Sequence, residues 1–117
     1  MLCAKPVVGH EPFVVVLPDV LIDEYEADLE TENLARMLTL YNERQTSQIM
    51  VEAVPREMIH NYGVVDLQGQ NIQPGQCKPV GAIIEKPCQE KAPSNLAVVG
   101  RYVFSENIWP LLKDTIP

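Results

Sequence analysis

The five apolar residues Phe13 to Leu17, "FVVVL", constrain this chain more than any other stretch. The run is continuous rather than alternating, so it reads as a strand buried on both faces. Such a strand needs a layer on each side, and Pro18-Asp19 ends it abruptly. Next comes "TENLARMLTLYNERQ", in which Leu34, Met37, Leu38 and Tyr41 fall at i, i+3, i+4 and i+7 on one helical face. Thr31 is placed to cap that helix, and Glu32 suits the positive end of its dipole. "SQIMVEAV" is then a second strand, stopped by Pro55. Strand, helix and strand in sequence make a βαβ unit, with parallel strands and a right-handed crossover.

The second half changes character. "YGVVDLQGQ", "KPVGAIIEKP" and "SNLAVVGRYVFS" read as three strands, and "ENIWPLL" as a short apolar-faced helical turn interrupted by Pro110. Consecutive strands after a βαβ unit predict a mixed, mostly parallel sheet with an antiparallel part. A chain of 117 residues with 46% hydrophobic and 21% charged residues is one domain's worth of globular sequence. Its net charge of -7 argues against non-specific nucleic-acid binding, which needs a basic surface. The three cysteines (Cys3, Cys77 and Cys88) form no C-x-x-C pair and fit reduced thiols in the cytoplasm. No apolar stretch approaches the roughly 20 residues of a membrane span.

Ligands of open α/β sheets bind outside the carboxyl ends of the strands, which makes three addresses chemically interesting. Asp19 follows the first strand; it could give a hard oxygen to Mg²⁺ beside phosphates, or bond backbone N–H groups in a Pro-Asp turn. Glu85 and Lys86 end the apparently buried strand "AIIEKP". Lys86 is expected to be held extended by Pro87 and could meet a phosphate, while Glu85 could accept hydrogen bonds from sugar hydroxyls. The plainer reading of the two is a surface ion pair of little energetic consequence. Gly63, opening the strand of "NYGVVD", permits close approach of backbone to a ligand, or marks an ordinary turn. Asn95 could bind a hydroxyl or cap a turn. His10 and His60 have no partners at ligand spacing, and Trp109 reads as core or interface packing. No Gly-rich phosphate loop is present.

The stretches "LCAKPVVG", "VVLPDVLID", "SQIMVE", "NYGVVD", "IIEKP", "APSNLAVVGRYV" and "IWPLL", in this order, carry a resemblance across nearly the whole chain. The chain resembles the sugar nucleotidyltransferase family, in the branch that moves a uridylyl group to glucose 1-phosphate. The resemblance implies an incomplete Rossmann-like α/β nucleotidyltransferase domain over residues 1–117. It further implies UTP and glucose 1-phosphate as substrates, Mg²⁺ as cofactor, and no nucleic-acid or membrane partner. By the same resemblance Asp19 would hold Mg²⁺, and Gly63 would line the glucose site. Glu85 would contact glucose hydroxyls, Lys86 the sugar phosphate, and Asn95 the sugar pocket.

The family's Gly-rich G-x-G-T-R loop and its C-terminal region have no counterpart in these residues. The chain is therefore expected to be the central part of a longer, homo-oligomeric cytoplasmic enzyme, inactive by itself. Other readings are a non-catalytic regulatory paralogue, a thymidylyl-transferring relative, or a small structural α/β domain. The intact "YGVVD" and "EKP" lean against the paralogue. The wording of "LCAKPVVG" and "VGRYVFS" leans toward uridylyl transfer. A purely structural domain leaves Asp19, Glu85 and Lys86 at strand ends unexplained.

Overall fold

A computed structural model describes residues 1–17, 33–73 and 75–115. After a 3-10 turn at Leu2–Ala4 comes the single helical turn α1 (Lys5–Val8). Pro6 suits its start, where an N–H would be unpaired anyway, and Gly9 ends it at φ 68°. Strand β1 (Phe13–Val16) precedes helix α2 (Asn33–Arg44) and strand β2 (Gln48–Ala53). Strands β3 (Gly63–Asp66), β4 (Ala82–Glu85) and β5 (Leu96–Phe104) follow, and helix α3 (Ile108–Thr115) comes last. Short 3-10 turns at Arg56–Asn61 and Gln89–Lys91 join them.

The long strand β5 organises the sheet. Val103 of β5 is opposite both Val14 of β1 and Gln48 of β2, so those two strands flank it on opposite edges. Both are antiparallel to β5 and therefore run in the same direction as each other. The strand–helix–strand unit exists, but its strands are not neighbours, because β5 lies between them. Every strand pair among the described residues is antiparallel, where a mostly parallel sheet was expected. Apolar content marks a strand but does not encode its direction or its neighbour. Residues 18–32 lie outside the described residues, and with them the expected cap Thr31 and Glu32.

One edge of β5 is shared end to end. β1 pairs with its residues Arg101 to Phe104, and β3 pairs at Ala97 through Val64. The C-terminal end of β1 and the first residue of β3 thus approach the same stretch of β5, Val98 to Gly100. Gly100 has φ 76°, and the β2–β5 register shifts between Ile49 and Val51. Together these describe a bulge in β5 at that point, for which a glycine in the left-handed region is the natural residue.

Helix α2 covers the sheet through Met37 and Tyr41, which pack with Val103, flanked by Leu34 and Met50. Leu40 is buried and Leu38 is 41% exposed, so the apolar face is rotated from the expected set. Burying such a side chain contributes roughly 1.5–3 kcal/mol. A second buried group, Ile59, Val64, Val65 and Ala97, has no exposure at all. The expected two-sided burial of β1 does not hold: alternate residues are open, with Val14 37% and Val16 51% exposed. β4 is exposed throughout and is an edge strand, paired with β3 alone among the described residues. α3 continues through Pro110, which occupies its first turn, where the missing N–H breaks no helical bond. No helix among the described residues is long and apolar enough to cross a membrane.

Candidate functional site

A cavity of about 290 Å³ lies where β1 ends, β3 begins and β5 bulges. Leu17, Gly63, Glu85, Gly100 and Tyr102 are among the residues lining it. The hairpin of β3 and β4 sets one end of this cavity. Its register places Gly63 directly opposite Glu85, and the Lys86 N–H extends the ladder by donating to the Tyr62 carbonyl at 2.9 Å. Gly63 leaves room for the carboxylate across the pair. A Cβ built on it would lie 3.2 Å from Oε2 of Glu85, so a side chain here would push the carboxylate aside. The sequence singled out these two residues separately; the antiparallel register brings them together.

Lys86 departs from expectation. It is not extended but turns at φ 45°, in the left-handed region that non-glycine residues avoid. The following Pro87 disfavours the right-handed helical region for Lys86, and the chain leaves β4 here with Pro87 buried. The Lys86 side chain is exposed and is not part of the cavity lining, although it directly follows Glu85. Asn95 is engaged elsewhere. Its Nδ2 donates to the Val54 carbonyl at 3.1 Å, and its own carbonyl accepts from the Val54 N–H at 3.0 Å. It fastens the end of β2 to the start of β5, and it does not line the cavity.

Asp19 lies outside the described residues. Mg²⁺ bound beside phosphates needs only one or two carboxylates, the remaining positions being filled by water and phosphate oxygens. Among the described residues there is no cluster of three or more potential ligands. Glu85 supplies one carboxylate at the cavity. The cavity combines this carboxylate with apolar walls at Ile83, Val98 and Tyr102. That combination suits a hydroxylated ring, whose edge offers donors and whose faces are less polar.

Sequence reasoning missed Leu17, Tyr62, Gly100 and Tyr102 as cavity residues. Only Gly100 carried a signal, since a glycine inside an otherwise apolar strand pattern suggests a bulge or a close approach. Cys77, meanwhile, donates its thiol to Oε1 of buried Gln48 at 3.3 Å, and Cys3, Cys77 and Cys88 are all unpaired.

The nucleotidyl transferase family profile matches residues 2–116. A UTP–glucose-1-phosphate uridylyltransferase of Haemophilus ducreyi is 54% identical over 115 residues, covering 98% of this chain and 39% of the relative. A UTP-bound UGPase from Acinetobacter baumannii superposes with a TM-score of 0.87 at 46% identity, over 97% of this chain and 39% of that structure. A UDP-glucose pyrophosphorylase complexed with UDP-glucose gives 0.84 at 36% identity, over 99% and 42%. The chain spans about two-fifths of the length of the relatives it matches. With the profile spanning nearly every residue and the fold agreeing along the whole chain, this chain belongs to the nucleotidyl transferase family.

Proposed function

We propose that this chain is the sugar-binding central part of a longer enzyme that transfers the uridylyl group of UTP to glucose 1-phosphate. In the reaction a phosphate oxygen of glucose 1-phosphate attacks the α-phosphorus of UTP. The bond to pyrophosphate breaks, and UDP-glucose forms. Catalysis of this type is mostly positioning and charge neutralisation. The observation that carries the reading is the cross-strand pair Gly63 and Glu85 at the cavity. Glucose is seated with its hydroxyls donating to the Glu85 carboxylate, close against the Gly63 backbone. Lys86 balances the sugar phosphate, and the strained backbone at that residue fits a side chain aimed for a purpose. Asp19 would hold Mg²⁺, which would offset the charge of the triphosphate. By the family resemblance Asn95 belongs to the sugar pocket; its amide holds the end of β2 to the start of β5.

Cytoplasmic residence fits three unpaired thiols. Homo-oligomerisation of the whole protein rests on the family resemblance alone. A chimera tests the reading: this chain replaces the matched 115-residue segment of the Haemophilus ducreyi relative. The expected outcome is Mg²⁺-dependent formation of UDP-glucose from UTP and glucose 1-phosphate. A folded chimera that releases no pyrophosphate with these substrates would overturn the assignment.

A further inference from the structure

We propose that Arg101 is a positioning residue of the sugar cavity, setting the wall at the β1 end through the backbone of Leu17. The proposal rests on the glucose 1-phosphate reading above and adds a residue that acts without touching the sugar. Arg101 is 8% exposed on β5, opposite Val16. Its Nη1 donates to the Leu17 carbonyl at 3.1 Å and to the Val99 carbonyl at 3.3 Å. One end of the guanidinium therefore bridges the end of β1 and the near side of the bulge. On the other side, the Leu17 N–H donates to the Gly100 carbonyl at 2.9 Å. Both backbone polar groups of Leu17 are thus held by β5 at the point where strand pairing gives out.

The Leu17 side chain is fixed by the same contacts. A Cβ on Gly100 would come within 3.0 Å of the Leu17 Cβ, so only a glycine lets Leu17 sit this close to the bulge. Leu17, Val99 and Gly100 all line the cavity. Burying a guanidinium is costly unless its hydrogen bonds are made. An apolar side chain of similar volume would fill the space without that cost, but could not hold two carbonyls at once. Both bonds come from one nitrogen, Nη1, so a lysine ammonium has the donors for them but carries them on a shorter stem.

The chimera described above provides the test, with Arg101→Met, Arg101→Lys and Leu17→Ala compared for both substrates. Arg101→Met is expected to raise KM for glucose 1-phosphate about tenfold while KM for UTP stays within about twofold. Arg101→Lys should recover part of that loss. Leu17→Ala removes a side chain that is 42% exposed, so the fold should survive while the same selective rise in KM appears. If folded Arg101→Met leaves both constants unchanged, or raises both equally, the positioning role is lost. If that variant does not fold, Leu17→Ala decides, and an unchanged KM for glucose 1-phosphate overturns the proposal. An inactive but folded unsubstituted chimera would instead sink the uridylyl reading, whereas an active one with insensitive variants sinks only the role of Arg101.

Discussion

Lys86 combines an exposed charge with a backbone that non-glycine residues avoid, at φ 45° just before Pro87. The left-handed region costs an L-residue about 1–2 kcal/mol, so a glycine would be more stable here. Lys86→Gly is therefore expected to raise stability by about 1 kcal/mol in a thermal melt of the chimera. Transition-state stabilisation should fall by roughly 2–4 kcal/mol because the charge at the phosphate is gone. Lys86→Ala should lose the activity without the gain in stability. A Lys86→Gly variant with unchanged kcat/KM for glucose 1-phosphate would remove Lys86 from the phosphate site. At the partner strand, Gly63→Ala would bring a methyl within 3.2 Å of the Glu85 carboxylate. It should raise KM for glucose 1-phosphate roughly tenfold with little change in melting temperature. Asp19→Ala should abolish Mg²⁺-dependent turnover and leave the melt intact; near-normal kcat would end the metal role. The residue types at this site were legible because strand ends with charges and glycines are unusual. The pairing of Gly63 with Glu85 was not, since it depends on a register that neither strand specifies alone. The turn at Lys86 was misread because proline restricts its predecessor without saying which remaining basin the chain will take.

Among the elements, α3 is seated in part by Trp109. Trp109 is 3% exposed and stacks on Phe13 of β1 at 4.8 Å with a 9° interplanar angle, and Phe104 lies 5.8 Å from Phe13. The Trp109 Nε1 finds no acceptor among the described residues. Trp109→Ala should lower stability by about 3–5 kcal/mol through lost burial and the cavity left behind. Trp109→Phe keeps an aromatic face and removes a buried N–H without a partner, so its cost should stay below about 1.5 kcal/mol. Equal losses in the two variants, read from denaturant midpoints of the chimera, would show that the indole N–H has a partner after all. The helices were legible to different depths. Their existence followed from apolar spacing, but the exposed Leu38 and buried Leu40 show that spacing fixes the face only to within one position. Sequence alone reads Pro110 as an interruption, because its harmless place in the first turn follows only from the start of α3 at Ile108. The bulge at Gly100 leaves one glycine in the sequence and no other trace.

For the whole molecule, the fold class was readable and the sheet was not. Continuous apolar runs identified strands, but β5 inserts between β1 and β2, and nothing within either run anticipates its partner: Phe13 pairs with Phe104, and Gln48 with Val103. The accessible surface reflects what this arrangement leaves open. It amounts to 8197 Å² for 13.1 kDa, whereas a compact monomer of that mass exposes roughly 6,400 Å². Val14, Val16, Leu17, Ile83 and Ile84 lie open on edge strands. A groove of about 1100 Å³ between α2, β2 and α3 is lined in part by Met37, Leu40, Ile49, Val51 and Leu111. Apolar edges of this kind offer unpaired backbone to other chains, and apolar patches beyond a few hundred Å² mark surfaces that are normally covered. The 117-residue chain studied by itself is therefore expected to self-associate, to bind a hydrophobic dye, and to unfold over a broad range. The chimera, in which the rest of the relative is present, should elute as a defined species and melt cooperatively. A sharp, reversible melt of a monomeric 117-residue chain would contradict this, because an open sheet face of that size would then have to be stable in water.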